Sequence, residues 1–214
     1  MSPDAGDPPA VPMAMFPLGA VLFPHVLLPL HVFEPRYRAL VRDCLRHGLE
    51  FAVVLIERGS EVGGGDSRFG VGTVARIREA AELGDGGWAV IAIGTRRVRV
   101  ASWLPDDPYP VALVEELPEP ASGPGDEGAL RDAEAAVRRA LALAGELGEA
   151  PVPATFDLDP DPAVAVWQLS AAAPLGPVDQ QRLLEAGDHG VRARLLAELA
   201  GEAAAVLAFR LAAG

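Results

Sequence analysis

"FPLGAVLFPHVLLPLHVFEPRYR", residues 16–38, decides how the chain is read. The stretch is apolar enough for buried strands, yet prolines stand at 17, 24, 29 and 35. Proline removes a backbone donor and is tolerated in sheets only at edges, bulges and strand starts. The pattern therefore predicts short extended segments, "MAMFPL" and "VLLPLHVF". Pro35 then opens a helix at its first turn, where a missing N–H costs nothing. Tyr37, Leu40, Val41, Cys44 and Leu45 fall on one face of that helix, and Gly48 stops it.

Outward from this stretch, "FAVVLIE" (51–57) reads as a buried strand and "ERGSEVGGGDSRFG" (57–70) as a loop. "VGTVARIREA", "GWAVIAIGT" and "RRVRVASW" read as three further strands. A hairpin turn, "LGDGG" at 83–87, joins the first two of these. "YPVALVEEL" (109–117) completes the set. One helix among six or seven strands with glycine-rich turns predicts a small mixed, barrel-like domain.

The composition then changes. Residues 1–12 read as a disordered tail, 13–118 as the β domain, 119–128 as a linker and 129–214 as a helical module. In that module Leu130, Ala133, Val137, Leu141 and Ala144 form one stripe. Asp161 caps a helix with Pro162 at its first position, and Pro177 opens another. A last helix spans 188–211, with Val191, Leu195, Leu199, Val206 and Leu211 expected inward. The fold class expected is α+β.

Bulk chemistry excludes several functions. The net charge of −12 opposes a phosphate backbone, so nucleic acid is not the expected partner. The N-terminus has no signal-peptide pattern, and no apolar run reaches the ~20 residues of a membrane span. A soluble, cytoplasmic protein is expected. All 18 basic residues are arginines; there is no lysine. A Walker A loop, a Ser-Lys dyad and a Schiff-base site all need one.

Motif matches fail on context. "GVGTVA" (70–75) has dinucleotide-loop spacing but lies between a loop and a β-branched strand. "DLDPDP" (157–162) begins like a calcium loop, but Pro162 replaces its glycine and Gln168 its final glutamate; it reads as a helix N-terminus. Cys44 and His47 read as a core cysteine and a helix-terminal histidine. His25, His31 and Glu34 suit no common metal template. No G-x-S-x-G elbow occurs. The expectation is no catalytic residue, no metal and no cofactor. "EPRYR" reads as an ion pair fixing the strand-to-helix junction or as a polar corner of a ligand groove. "TRRVRV" reads as Val98 and Val100 inward with Arg97 and Arg99 on a solvated face.

Taken together, "FPLGAVLFPHVLLPLHVFEPRYRALV" resembles the opening of the Lon protease N-terminal, or LON substrate-binding, domain. "GVGTVARI", "AIGTRRVRV", "YPVALVEELPE" and "LSAAAPLGPVDQQRLLEAGDHGVRARLLAEL" are similar to later family segments, in the same order. The resemblance covers residues 13–200 and implies a PUA-like β pseudo-barrel followed by a C-terminal helical bundle. It implies a non-catalytic polypeptide-binding module, an adaptor in protein quality control whose partners are unfolded or degron-bearing polypeptides and a separate ATP-dependent protease. The alternatives are an RNA-binding PUA-like domain and a scaffold that docks a protein partner. Candidate contact residues are Phe23, Pro24, His25, Arg36 and Tyr37. The sequence departs from the family at His25, where glycine usually follows F-P, and at Val98, where an aromatic is common.

Overall fold

The computed structural model describes residues 9–58, 67–120 and 126–213. The chain divides into two compact units, the first ending at Pro118 and the second beginning at Glu119. Strands β1 (Val11–Leu18), β2 (Leu27–Val32), β3 (Glu50–Arg58), β4 (Ser67–Glu82), β5 (Trp88–Leu104) and β6 (Val111–Leu117) belong to the first, with helix α1 (Pro35–His47). Helices α2 (Asp126–Glu146), α3 (Pro162–Ala172), α4 (Pro177–Glu185) and α5 (His189–Ala213) form the second.

The strand order is β2-β5-β4-β3-β1-β6, and β6 also pairs with β5. That second pairing closes β5, β4, β3, β1 and β6 into a barrel, with β2 left outside as an edge strand. The 17-residue β5 makes this possible. Its first half pairs with β2, from Leu27 opposite Ile93 to Val32 opposite Trp88, and its second half with β6. β1 divides its length likewise, between β6 and a parallel ladder with β3. The two segments expected as "GWAVIAIGT" and "RRVRVASW" are therefore one strand. No turn residue separates Thr95 from Arg96, and register shifts in β4–β5 and β5–β6 supply the bending instead.

Apolar residues lie on both faces of several strands because both faces are covered. Met15, Ala52, Val54, Val74, Val98, Ala112 and Val114 cluster on one side. Phe16, Phe51 and Val53 join Tyr37, Leu40, Val41 and Cys44 of α1 on the other. α1 begins at Pro35 and ends where the Gly48 N–H donates to the Cys44 carbonyl at 3.2 Å. The 83–87 hairpin is held by Leu83 N–H to Gly87 O, 2.8 Å, and by the Asp85 carboxylate accepting from Gly87 N–H, 2.9 Å.

Several sequence expectations shift. β1 starts at Val11, inside the expected tail, and residues 1–8 lie outside those described. β3 and β4 extend into the expected 57–70 loop, of which 59–66 lie outside the described residues. Helix α2 takes in residues 126–128 of the expected linker, while 121–125 lie outside. Arg97 is buried, not on a solvated face, whereas Arg99, two residues on and likewise paired with both β4 and β6, is exposed. In α5, Val191 and Val206 point outward, and the buried stripe is Ala193, Leu196, Leu199, Ala200, Ala204 and Leu207. Alanine marks the inward face because α5 packs along α2, whose Ala133, Ala140 and Ala144 are also buried; small side chains let two helices approach closely.

The second unit has a polar centre. Arg192 is fully buried, 3.5 Å above the Trp167 ring. It donates to the Leu183 and Ala186 carbonyls at the end of α4, at 3.1 and 2.9 Å, and to the Glu119 carboxylate at 2.8 Å. Asp161 caps α3 by accepting from Ala163 N–H at 2.9 Å, as the acidic run predicts.

One backbone contact places β2. The Gly94 N–H donates to Val26 O at 2.9 Å and Gly94 O accepts from His25 N–H at 2.8 Å, while the Phe23 carbonyl sits where a Cβ on Gly94 would be. Gly94→Ala is expected to destabilise the protein by roughly 3 kcal/mol, because a carbonyl fixed by its neighbours must move. Urea denaturation of both proteins measures it.

Candidate functional site

The proline-bearing stretch builds a sheet edge. Bonds to a neighbouring strand recur at every second residue of an antiparallel ladder. Val26 O faces Gly94, so Leu28, Leu30 and Val32 direct their backbone groups to β5, while Leu27, Pro29 and His31 direct theirs away. Pro29 thus stands where its missing N–H removes no ladder bond. The outer edge keeps the N–H and C=O of Leu27 and His31 and the C=O of Pro29. Among the described residues, β2 has β5 as its single strand neighbour.

Two concavities flank this edge. The first, about 240 Å³, is lined by Pro29 to Phe33 of β2 and its end, Phe16 and Leu18 of β1, and Glu34 and Tyr37 at the start of α1. The second, about 530 Å³, lies across β2, β5 and β4 and is lined by Pro29, Leu30, His31, Ala80, Ala89 and Ile91 among others, with Glu79 as its charged residue. Exposed apolar side chains surround them: Leu27 is 62% exposed, Phe33 58% and Ile91 40%.

The residues singled out from the sequence divide sharply. Phe23 (1% exposed), Pro24 and Tyr37 (3%) are buried, so their side chains shape the edge from beneath. Tyr37 stacks on Phe16, with centroids 4.2 Å apart and planes at 14°. Arg36 lies over the Tyr37 ring at 4.5 Å and donates to Glu34 at 3.1 Å, which is the junction ion pair of "EPRYR". Arg36 is half-buried and borders the first concavity through Glu34 and Tyr37. His25 is exposed and takes a left-handed backbone, φ 63°, a conformation in which glycine carries no steric penalty. The departure from the family glycine therefore keeps the turn geometry. Leu27, Phe33 and Ile91 were not selected from the sequence. The signal available was the alternation in "LLPLHV", but apolar residues on both faces hide which one is outward.

Elsewhere in the unit two groups, Cys44 and Tyr109, are held neutral. Burial, helped by the neighbouring Asp43, pushes the Cys44 thiol up to about 12. The thiol donates to the Glu50 carbonyl at 3.3 Å. Burial, with a hydrogen bond to Asp43 at 3.0 Å, pushes the Tyr109 hydroxyl to about 12 as well. Neither is ionised at neutral pH, so neither is a ready nucleophile. Among the described residues no group of three or more His, Cys, Asp or Glu is placed to hold a metal ion, and no helix is long and apolar enough to cross a membrane.

Residues 12–200 match the model of the ATP-dependent protease La (LON) substrate-binding domain. The chain belongs to the LON substrate-binding domain family. Lon protease 2 of Sorangium cellulosum is 31% identical over 220 residues, covering 96% of this chain and 26% of that protein. Lon protease 2 of Herpetosiphon aurantiacus is 27% identical, covering 84% and 22%. This LON domain thus spans about a quarter of the length of the curated relatives it matches. A Lon N-terminal domain protein from Xanthomonas campestris superposes with a TM-score of 0.60 at 28% identity, over 85% of this chain and 94% of that one. The N-terminal domain of Mycobacterium avium complex Lon protease shares the fold, with a TM-score of 0.66 at 17% identity, over 90% and 99%. The match falls on the substrate-binding part of these proteases, and the architecture is the expected β pseudo-barrel with helices following.

The state of Cys44 is directly testable. Iodoacetamide at neutral pH should leave the folded LON domain unmodified and alkylate Cys44 fully in denaturant, as read by intact mass. Rapid labelling of the native protein would contradict a buried, neutral thiol.

Proposed function

We propose that this LON domain is a non-catalytic module that recognises unfolded or degron-bearing polypeptide, takes it as an extended segment along the β2 edge, and presents it to a separate ATP-dependent protease. The observation that carries the reading is the edge itself. It combines backbone groups at Leu27, Pro29 and His31 that are unpaired among the described residues with apolar concavities on either side. Main-chain bonds give such an edge affinity for any extended chain, and side-chain pockets give it preference for alternating apolar residues. Of the residues expected to make contact, His25 and Arg36 border the edge, while Phe23, Pro24 and Tyr37 hold it in shape. Family membership supports substrate recognition as the general role. The raised thiol speaks against Cys44 as a nucleophile.

Fluorescence anisotropy with a labelled, reduced and alkylated protein tests the reading. The wild-type domain should bind, and Leu27→Asp together with Ile91→Glu should weaken binding at least about tenfold, a change of ~1.4 kcal/mol. Both substitutions are on exposed side chains, so the melting temperature should hardly move. Binding unchanged in the double variant would place recognition elsewhere; no binding by the wild type would refute the reading.

A further inference from the structure

The last turns of α5 carry an apolar surface that the polypeptide-binding reading does not use. Val206 is 60% exposed and Phe209 75%, the most exposed of the large apolar side chains among the described residues. Two rows run side by side along this face at four-residue spacing. One is Glu202, Val206 and Arg210; the other is Gly201, Ala205 and Phe209, and all six residues are exposed. Rows of this spacing are the ridges that interdigitate in the commonest class of helix crossing.

The charges are placed symmetrically about Val206, with Glu202 four residues before it and Arg210 four after. A two-fold axis through Val206 sets each Glu202 beside Arg210 of the second copy, twice over. The same operation brings each Phe209 level with position 203 of the second copy, between its Gly201 and Ala205. Gly201 has open space where a Cβ would stand, so the large ring meets the smallest side chains of its own row. A parallel arrangement would oppose Glu202 to Glu202 and Arg210 to Arg210, which like-charge repulsion disfavours. Arg210 already donates to the exposed Glu149 at 2.7 and 2.8 Å, but that uses two of its five N–H donors.

We propose that this face of α5 is an isologous interface, and that two copies of the chain associate antiparallel through the Glu202–Val206–Arg210 ridge with Phe209 as its apolar anchor. Self-complementarity is what a two-fold interface requires of a single surface. A single helix crossing buries less than the ~1,200 Å² of a stable complex. The association is therefore a concentration-dependent equilibrium, not an obligate dimer.

Sedimentation equilibrium of the full chain, from micromolar to millimolar concentration, reads it. The expected result is a weight-average mass that climbs toward the dimer. Phe209→Glu, and separately Glu202→Arg, should each raise the dissociation constant at least about tenfold, with circular dichroism unchanged because the positions are exposed. The charge-reversed pair Glu202→Arg with Arg210→Glu, built in a Glu149→Gln background so that residue 210 meets no local carboxylate, should restore association. A monomer at every concentration overturns the proposal. So does a dimer indifferent to Phe209→Glu, or a reversed pair no tighter than Glu202→Arg alone.

Discussion

The β unit depends on one close approach of backbone to backbone, the Phe23 carbonyl against Gly94. β5 has to serve two neighbours in succession, β2 along its first half and β6 along its second. Gly94 stands just past the last residue paired with β2, and the turn at Pro24–His25 crosses above it. Without a Cβ there, the chain entering β2 comes close enough for paired bonds between His25, Val26 and Gly94. Those bonds fix which residues of β2 face the sheet and which face away. The orientation of Pro29, and with it the usable edge, follows from that register.

An exposed edge is ordinarily a hazard, since it templates pairing with any extended chain. Pro29 removes one donor from the outer row and interrupts continuous pairing. The remaining groups at Leu27 and His31 are too few for a strong ladder. Under the proposed role, a weak, sequence-tolerant grip suits an unfolded chain that is held and then released. The apolar concavities add the preference that backbone bonds lack. The small number of open groups and the breadth of the apolar surface therefore belong to one account.

Much of this was legible in the sequence. The proline-punctuated apolar stretch announced short extended segments, and Pro35 with Gly48 bounded α1. Asp161 and Pro162 gave the start of α3. What could not be read has physical causes. Apolar residues on both faces of β2 concealed that Leu27 and Phe33 are outward while Phe23 is buried. Barrel closure by β5–β6 pairing is a non-local event, and the burial of Arg97, which alternation alone placed outside, does not follow from the local pattern either. In α5 the inward stripe mixes alanines with leucines, so the larger Val191 and Val206 misled the reading of phase. The family resemblance supplied the fold but not the accessibility of individual side chains, because core and surface positions share the same motif.

The measurement that bears most directly on the central claim is amide hydrogen exchange of β2 with and without a bound extended polypeptide. In the free domain, Leu28 and Leu30 should exchange slowly, bonded to β5, while Leu27 and His31 exchange fast. On binding, protection should appear at Leu27 and His31, which is what addition of a strand to this edge requires. Polypeptide that binds while both amides keep exchanging at their free rates would contradict the account.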